Sequence, residues 1–431
     1  MSHLAWRHFS LSSTSKAYLL KTEKFKTITL HLYFLTNLED LPTQTALLPY
    51  VLRRTSQEYN SLNELYQKLE ALYGASLQIS PVKIGDWQLI RFSLVWPNEK
   101  YFSPSPQISL PILKLLHQIL YFPKCSNGSF PEQDFALEKK QMELYIQGLI
   151  NDRTAYAFER FRQHFCPNDP YRLFEYGNLE ELAQITAKNL YQFYEKFLKQ
   201  TPYFLYLVGD VEPNQWEEWI NSYFLPPSSD QRLVETKTLS QKAVEEKQKE
   251  KQPLKTIVEN LDIAQAQLVL GWKSWLDYSH PSSLAFLAAQ GVLGGFAHSK
   301  LFFEVREKAG LAYTIASSLD RHKGFLTVYG GIAPENFHQA VELIRLQVEK
   351  IAAGEITDFE MQSTTQGLLS GYQAMLDAPT RMIAYSLSHH LHHQIPDLEK
   401  AKKTILSLTP QHLAKAFQTI YLDTIYLLRP K

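Results

Sequence analysis

The stretch that decides the fold runs from Leu293 to Tyr313 and reads LGGFAHSKLFFEVREKAGLAY. Its pattern predicts the end of an apolar helix, a glycine turn, a charged helix, a glycine stop and then a strand. Arg306 falls in the last turn of the charged helix, and Tyr313 falls on the strand that follows. A guanidinium can donate to peptide carbonyls, and a phenol can donate to a developing oxyanion. The two side chains are therefore candidates for binding one extended peptide along that strand.

A purely structural role for both residues is equally consistent with the chemistry. An arginine in the last turn of a helix complements the helix dipole, because the carbonyls at that end carry partial negative charge. A tyrosine on a strand is often half-buried, with its ring in the core. The residue types alone leave both interpretations open.

Working outward from this stretch, the order of predicted elements occurs twice along the chain. Each part begins with strand-like sequence, continues with two helices, returns to strands, and closes with long helices and a final strand. The paired segments are residues 17–34 and 255–272, 43–52 and 281–293, 61–72 and 298–308, 87–96 and 324–332, and 203–208 and 424–428. The pattern predicts an α+β fold made of a duplicated unit, each copy a mostly antiparallel sheet covered by helices.

One segment between the two parts differs from the rest in composition. Within residues 226–253, seven of the twelve residues from 241 to 252 are charged, with mixed sign, and none is aromatic. Such a stretch buries too little apolar area to offset the entropy of ordering it. We therefore expect a first repeat over residues 1–225, a charged linker over 226–253 and a second repeat over 254–431.

The overall composition excludes several classes of protein. The 431 residues carry 44 basic and 44 acidic side chains, so the formal net charge is zero and gives no basic excess for nucleic acid or anionic membranes. The two cysteines, Cys125 and Cys166, form no C-x-x-C pair. No secretory signal and no stretch long enough to span a bilayer is evident, so we expect a soluble, cytoplasmic protein.

The 293–313 stretch resembles the C-terminal motif of the pitrilysin/insulinase family, the inverzincin metallopeptidases. The residues that carry the likeness are Gly294-Gly295, Ser299–Phe302 and the run from Val305 to Tyr313. In that family an arginine and a tyrosine seven residues apart bind and polarise the substrate peptide. Arg306 and Tyr313 have this spacing, so the resemblance implies that they bind substrate and stabilise the oxyanion.

The zinc motif of that family is degenerate in this chain. Family peptidases carry H-x-x-E-H on an early helix, where two histidines and a later glutamate hold zinc. The matching residues here are Ala46, Pro49 and Tyr50, and no H-x-x-E-H occurs anywhere in the sequence. A methyl group, a proline and a phenol cannot replace two imidazoles and a carboxylate. The resemblance therefore implies a chain that binds no zinc and has no catalytic residue of its own.

This departure matches a division of labour within the family. Some bacterial members pair a zinc-bearing subunit with a homologous zinc-less subunit that keeps the arginine and the tyrosine. The resemblance thus implies the non-catalytic, substrate-binding subunit of a heterodimeric zinc metalloendopeptidase, with zinc held by an H-x-x-E-H partner. Its substrates would be short or unfolded peptides, such as pheromone or bacteriocin precursors. The alternative within the same fold is a non-proteolytic binding or assembly module.

A histidine cluster offers a third hypothesis, that of an autonomous metallopeptidase. His389 and His393 would lie one turn apart on a helix, where they could form a zinc pair with Glu399 as a third ligand. Against this, no general-base glutamate lies between the histidines, and the cluster is far along the chain from Arg306. A solvated or packing surface of a helix is the competing interpretation.

Overall fold

The computed structural model describes residues 4–225 and 254–431, which form two compact units. One unit contains Leu4–Gly148 together with residues 173–225, and the other contains Leu149–Arg172 together with residues 254–431. The predicted linker, residues 226–253, lies outside the described residues. The division of the chain into two repeats around this linker remains a prediction.

The first unit is built on a six-stranded sheet with the strand order β1-β2-β6-β3-β5-β4. All neighbouring strands are antiparallel except β2 and β6, which are parallel. The strands are β1 (Arg7–Ser10), β2 (Lys16–Lys21), β3 (Thr27–Asn37), β4 (Ser76–Ile84), β5 (Trp87–Pro97) and β6 (Tyr203–Gly209). The interior strands β3, β5 and β6 are almost continuously buried, so side chains on both faces of the sheet are shielded from solvent there.

The described part of this first unit contains seven α-helices. They are α1 (Pro42–Leu52), α2 (Leu62–Ala71), α3 (Ser109–Tyr121), α4 (Glu132–Gly148), α6 (Leu179–Gln184), α7 (Ala187–Gln200) and α8 (Pro213–Phe224). Polar caps define several of their starts: Ser61 accepts from the backbone of Glu64, and Thr186 and Asn189 form a reciprocal capping box. The apolar faces of α1, α3 and α7 pack with the sheet into one hydrophobic core.

The second unit is built on a five-stranded sheet with the order β7-β11-β8-β10-β9. Here the parallel pair is β7 and β11, and the other neighbours are antiparallel. The strands are β7 (Lys255–Leu261), β8 (Ala266–Lys273), β9 (Ala312–Asp320), β10 (Phe325–Ile332) and β11 (Tyr421–Pro430). This order repeats β2-β6-β3-β5-β4 of the first sheet strand for strand. The predicted duplicated α+β fold is therefore confirmed.

Helices cover this second sheet. They are α5 (Arg153–Phe165), α9 (Ser283–Gln290), α10 (Phe337–Ala352), α11 (Asp358–Met375), α12 (Pro379–Leu391), α13 (Leu398–Leu406) and α14 (Pro410–Phe417). A capping box starts α11: the side chains of Thr357 and Glu360 each accept from the backbone N–H of the other residue, at 3.2 and 2.8 Å.

Helix α5 lies on the second sheet although 89 residues separate its end at Phe165 from the start of β7 at Lys255. Phe161 and Phe165 pack against β8, where Gly271 leaves room for them: a Cβ added there would lie 2.3 Å from Phe161 Cζ. Arg160 adds a bidentate ion pair to Glu259 on β7, with N–O distances of 2.7–3.1 Å. The segment Leu149–Arg172 is thus held by packing and charge within the second unit.

Candidate functional site

The segment between α9 and β9 has the helix–turn–helix–strand course that the sequence predicts. Helix α9 continues into wider turns over Gly291–Gly295, and the helical course breaks at Gly294, where φ is −162°. A second helical segment with wide turns spans Leu301–Lys308, and Gly310 ends it with a positive φ of 64°. A Cβ on Gly294 would come within 2.7 Å of the Ser317 nitrogen. This close approach of the turn to β9 explains why glycine is needed there.

A buried hydrogen-bond network fixes this turn to β9. The Gln290 amide nitrogen donates to the carbonyl and the hydroxyl of Ser317, at 2.9 and 3.0 Å, and the Ser317 hydroxyl lies 3.1 Å from the Gln290 carbonyl. The Phe296 ring fills a slot whose walls are Gly291 and Gly367. Sequence reasoning missed both features. The one signal for them is Gln290 itself, a long polar residue at the end of an otherwise apolar helix.

Arg306 lies on the exposed face of the Leu301–Lys308 segment. Its guanidinium carbon is 4.8 Å from the centre of the Phe302 ring, and its Nε is 3.5 Å from the Glu307 carboxylate. The side chain is 40% exposed. Contacts of this kind are weak in water, so the guanidinium can turn toward a bound carbonyl at little cost.

Tyr313 is 75% exposed, more than any other tyrosine, phenylalanine or tryptophan in the described part of the chain. It occupies a β-bulge: Ala312 pairs with Ile332 and Thr314 pairs with Gly331, which leaves Tyr313 without a partner on β10. Bulges redirect side chains and are common beside functional sites. The interpretation of Tyr313 as a half-core residue is therefore wrong, and its phenol points away from the core.

The edge of the second sheet runs beside Tyr313. Strand β9 pairs with β10 on one side and has no strand on its other side among the described residues. The neighbouring strand β10 and its first-unit counterpart β5 cannot add a substrate strand, because both are interior and their backbone groups already bond to two neighbours. Among the described residues, the terminal strands are β7 and β9 in the second sheet and β1 and β4 in the first. Of these four strands, β9 is the one that carries Tyr313.

Helix α1, which matches the zinc-binding helix of the family, has packing residues at the three motif positions. Ala46 is fully buried, and Pro49 is a buried proline inside α1. Tyr50 donates weakly from its hydroxyl to the Ile79 carbonyl at 3.4 Å, and burial raises the pKa of this phenol. No group of three or more His, Cys, Asp or Glu side chains suited to a metal ion occurs within residues 4–225 and 254–431.

The geometry assumed for a His389–His393 metal pair is wrong. Helix α12 ends at Leu391, and His393 lies beyond it with a positive φ of 56°, so the two histidines do not share a helical face. His389 Nδ1 lies 2.9 Å from the Tyr278 hydroxyl and 2.9 Å from the Tyr385 carbonyl. Glu399 forms an ion pair with Lys402, with Oε1 lying 3.5 Å from Nζ. The structure thus gives His389 and Glu399 separate partners and does not place the two histidines on one helical face.

The duplicated fold and the segment from Gly294 to Tyr313 together define a metallopeptidase-like half-molecule. Comparison with known proteins leads to the same class. The sequence profile described as "Peptidase M16 inactive domain" matches residues 184–368. The chain belongs to the peptidase M16 family, the pitrilysin/insulinase family whose motif it resembles. It is 34% identical to the "Probable inactive metalloprotease YmfF" of Bacillus subtilis (strain 168), with 96% of this chain and 95% of that protein covered.

Other relatives share part of the chain or the whole fold. The "Uncharacterized zinc protease YmxG" of Bacillus subtilis is 25% identical over 47% of each chain. A crystal structure of a conserved protein from Enterococcus faecalis V583 superimposes with a TM-score of 0.89 at 25% identity, covering 99% of both chains. The peptidase M16 inactive domain from Pseudomonas fluorescens has the same fold, with a TM-score of 0.80 at 17% identity and 99% coverage of both chains.

Every helix within the described residues is too short or too polar to cross a bilayer.

Proposed function

We propose that this chain is the substrate-binding, non-catalytic subunit of a heterodimeric zinc metalloendopeptidase whose second subunit carries H-x-x-E-H. The observation that carries the proposal is the position of Tyr313, 75% exposed on a bulge of the edge strand β9, one glycine turn after the Arg306 helix. A packing role would bury a large aromatic ring, because burial of such a ring is favourable. A free phenol beside an unpaired strand edge is suited to contact a ligand.

The edge strand gives the substrate a way to bind. An extended peptide can add to β9 through main-chain hydrogen bonds, which supply affinity without requiring a particular sequence. Such binding needs a peptide that is already unfolded or short. We therefore propose short or unfolded peptides as substrates, with ribosomally made pheromone or bacteriocin precursors as the candidates that the family resemblance suggests.

Arg306 and Tyr313 then have distinct roles in the shared site. The guanidinium donates to carbonyls of the bound peptide and holds the backbone in place. The phenol donates to the carbonyl oxygen as negative charge develops on it, which stabilises the transition state. The zinc and the general-base glutamate expected in the partner supply the hydrolytic chemistry. This chain contributes the position of the substrate and part of the charge stabilisation.

A cytoplasmic location fits the proposal. Cys125 and Cys166 are unpaired thiols, the first exposed and the second buried, as is usual in a reducing compartment. An H-x-x-E-H subunit would therefore be a cytoplasmic protein as well, and a gene for it is expected in the same genome.

The decisive experiment measures cleavage of fluorogenic peptides by this chain, by an H-x-x-E-H homologue from the same genome, and by their mixture, with zinc content determined for each. We expect activity only in the mixture and stoichiometric zinc only in the homologue. Tyr313→Phe should lower kcat about 100- to 1,000-fold, the usual cost of losing one oxyanion donor. Arg306→Ala should raise KM as well, because it removes contacts made by the bound ground state.

Matched controls separate a functional effect from a general one. Arg345→Ala and Tyr66→Phe change an exposed arginine on α10 and a half-exposed tyrosine on α2, and both should leave the mixture fully active. Full activity of the homologue alone, unchanged by this chain, would favour the binding or assembly module. Zinc bound to this chain alone, with activity lost in His389→Ala, would instead favour the autonomous metallopeptidase.

A further inference from the structure

The second unit contains a cavity of about 690 Å³ that the peptide-binding site does not use. The start of α9, the turn between β9 and β10, and the facing ends of α12 and α13 form its walls. Its volume lies within the range of about 300–1,000 Å³ typical of small-molecule sites. Its charged and aromatic side chains indicate what it could bind.

Arg321, in the turn after β9, is fixed in place at this cavity. Its Nε donates to the Ser283 hydroxyl at 3.1 Å, and its guanidinium carbon lies 4.2 Å from the centre of the Tyr278 ring. Within the described ranges, no carboxylate lies at ion-pair distance, 4.0 Å or less, from this guanidinium. Because a guanidinium carries five N–H donors, Arg321 is oriented and still has the capacity to bind an oxyanion.

The remaining charges of the cavity also favour an anion. Lys400 stands in the first turn of α13, where the helix dipole adds partial positive charge. The one carboxylate among the lining residues is Asp397, and one of its oxygens accepts the Lys400 backbone N–H at 2.9 Å as the helix cap. Burial lowers the pKa of His389, so this imidazole is neutral near pH 7. The fixed positive charge therefore comes from Arg321 and Lys400.

Aromatic rings form the other part of the lining. Tyr372 and Tyr385 meet edge to face, with ring centres 5.8 Å apart, and Tyr385 packs on His389 at 4.4 Å. The Tyr385 hydroxyl is buried and has no hydrogen-bond partner among the described residues. A buried hydroxyl without a partner is costly, and a polar ligand can satisfy it. Rings beside a cationic wall suit a ligand with an aromatic body and a negative group.

We propose that this cavity binds a small aromatic oxyanion. Arg321 and Lys400 bind its carboxylate or phosphate group, and the rings of Tyr372 and Tyr385 line one side of its aromatic body. Such a ligand could be the C-terminal aromatic residue of a peptide or a free aromatic phosphate, and both carry an oxyanion a few bonds away from an aromatic ring. This site is separate in its residues from Arg306 and Tyr313 and does not depend on the proposed peptidase role.

The test is isothermal titration calorimetry of the whole chain with four probes of similar size. N-acetyl-phenylalanine represents a peptide carboxyl end, and phenyl phosphate represents a free phosphate. N-acetyl-phenylalanine amide and phenethylamine are the neutral and cationic controls. We expect at least one of the two anions to bind more than about tenfold more tightly than both controls, and the tighter anion identifies the source of the ligand.

Variants then locate the binding. Arg321→Gln and Lys400→Gln should each weaken the bound anion about tenfold or more, because hydrogen bonds to charged groups are the stronger kind. Arg345→Gln, on an exposed residue away from the cavity, should bind like the parent chain. Thermal unfolding of each variant shows whether it is folded, and Lys400 is exposed enough for its replacement to be tolerated. Equal binding of anions and controls, or unchanged binding in both folded cavity variants, would overturn the proposal.

Discussion

Lys323 Nζ lies 3.0 Å from Asp169 Oδ2, and the lysine side chain is only 1% exposed. Lys323 belongs to the turn between β9 and β10, and Asp169 follows helix α5. The contact therefore joins two segments of the second unit that are 154 residues apart in sequence. Removing one partner of a buried pair leaves a charge with less compensation, which costs far more than losing a surface pair.

We expect Asp169→Asn to lower the free energy of unfolding by about 3 kcal/mol, the low end for buried pairs, because a quarter of Asp169 is exposed. Asparagine keeps an oxygen for the Tyr171 backbone N–H, so the change isolates the charge. Urea unfolding measures the effect. Glu143→Gln, in the exposed pair with Lys140, is the control and should change little. A small loss in Asp169→Asn, similar to that control, would mean that the pair contributes little.

Gly271 offers a test of how closely α5 packs on the second sheet. Gly271→Ala places a Cβ 2.3 Å from Phe161 Cζ and 2.8 Å from Phe165 Cε2, so rings must shift, at a cost of about 1–3 kcal/mol. Gly371 is the matched control, because it lies inside α11 with no atom within 4 Å of an added Cβ. Gly371→Ala should stabilise the helix by about 0.5–1 kcal/mol. The opposite order of stability in urea would refute the packing described for α5.

Buried histidines should make the chain less stable in mild acid. Burial, assisted by Arg91, lowers the pKa of His31 to about 3, and burial is also the main cause that lowers the pKa of His322 to about 3 and of His392 to about 4. An unfolded histidine titrates near pH 6.5, so below that pH the unfolded chain binds more protons. Stability is therefore complete above pH 6.5 and is lost as the pH falls toward 4, by about 1.4 kcal/mol per pH unit for each such histidine.

His31→Gln should reduce the slope of the free energy of unfolding against pH by the contribution of one proton, about 1.4 kcal/mol per pH unit. The amide can keep hydrogen bonds to Tyr33 and Ser93, whose hydroxyls lie 2.9 Å from the two ring nitrogens. Urea midpoints between pH 7.5 and pH 5 give the slope, and His8→Gln, at an exposed histidine, is the control. An unchanged slope in His31→Gln would show that this imidazole is already protonated in the folded chain.

His393 occupies a backbone conformation that favours glycine. It follows the end of α12 with φ at 56°, and the next residue, Gln394, donates its backbone N–H to the His389 carbonyl at 2.9 Å. We expect His393→Gly to raise the free energy of unfolding by about 0.5–1 kcal/mol, because a Cβ is disfavoured in this region. Thermal unfolding measures the change. A loss of stability would indicate that the imidazole makes contacts worth more than the strain.

Local elements of this chain were largely predictable because their causes are local. The glycine stop at Gly310, the capping box at Thr357 and the apolar stripe of α10 each depend on residues a few positions apart. The repeat also followed from sequence, because the same order of elements occurs twice. The absence of H-x-x-E-H needed no structure at all.

The failed prediction at the histidine cluster shows where local reasoning stops. Spacing alone placed His389 and His393 on one helical face, but α12 ends between them. Helix ends depend on tertiary packing as well as on local signals. A helical pattern can therefore extend one turn further in the sequence than the helix does in the fold. The histidines' actual partners, such as Tyr278, lie more than a hundred positions away.

The sequence by itself determined the family, the duplicated fold and the loss of the zinc ligands, because each rests on residue types at fixed spacing. Tertiary structure decided that β9 is an edge strand of the described sheet, that Tyr313 projects from a bulge, and that Arg321 faces a cavity with Lys400. Strand order and cavities arise from contacts between residues far apart in the chain. The free energy of such contacts comes from burial and pairing across the fold, which no local pattern in the sequence specifies.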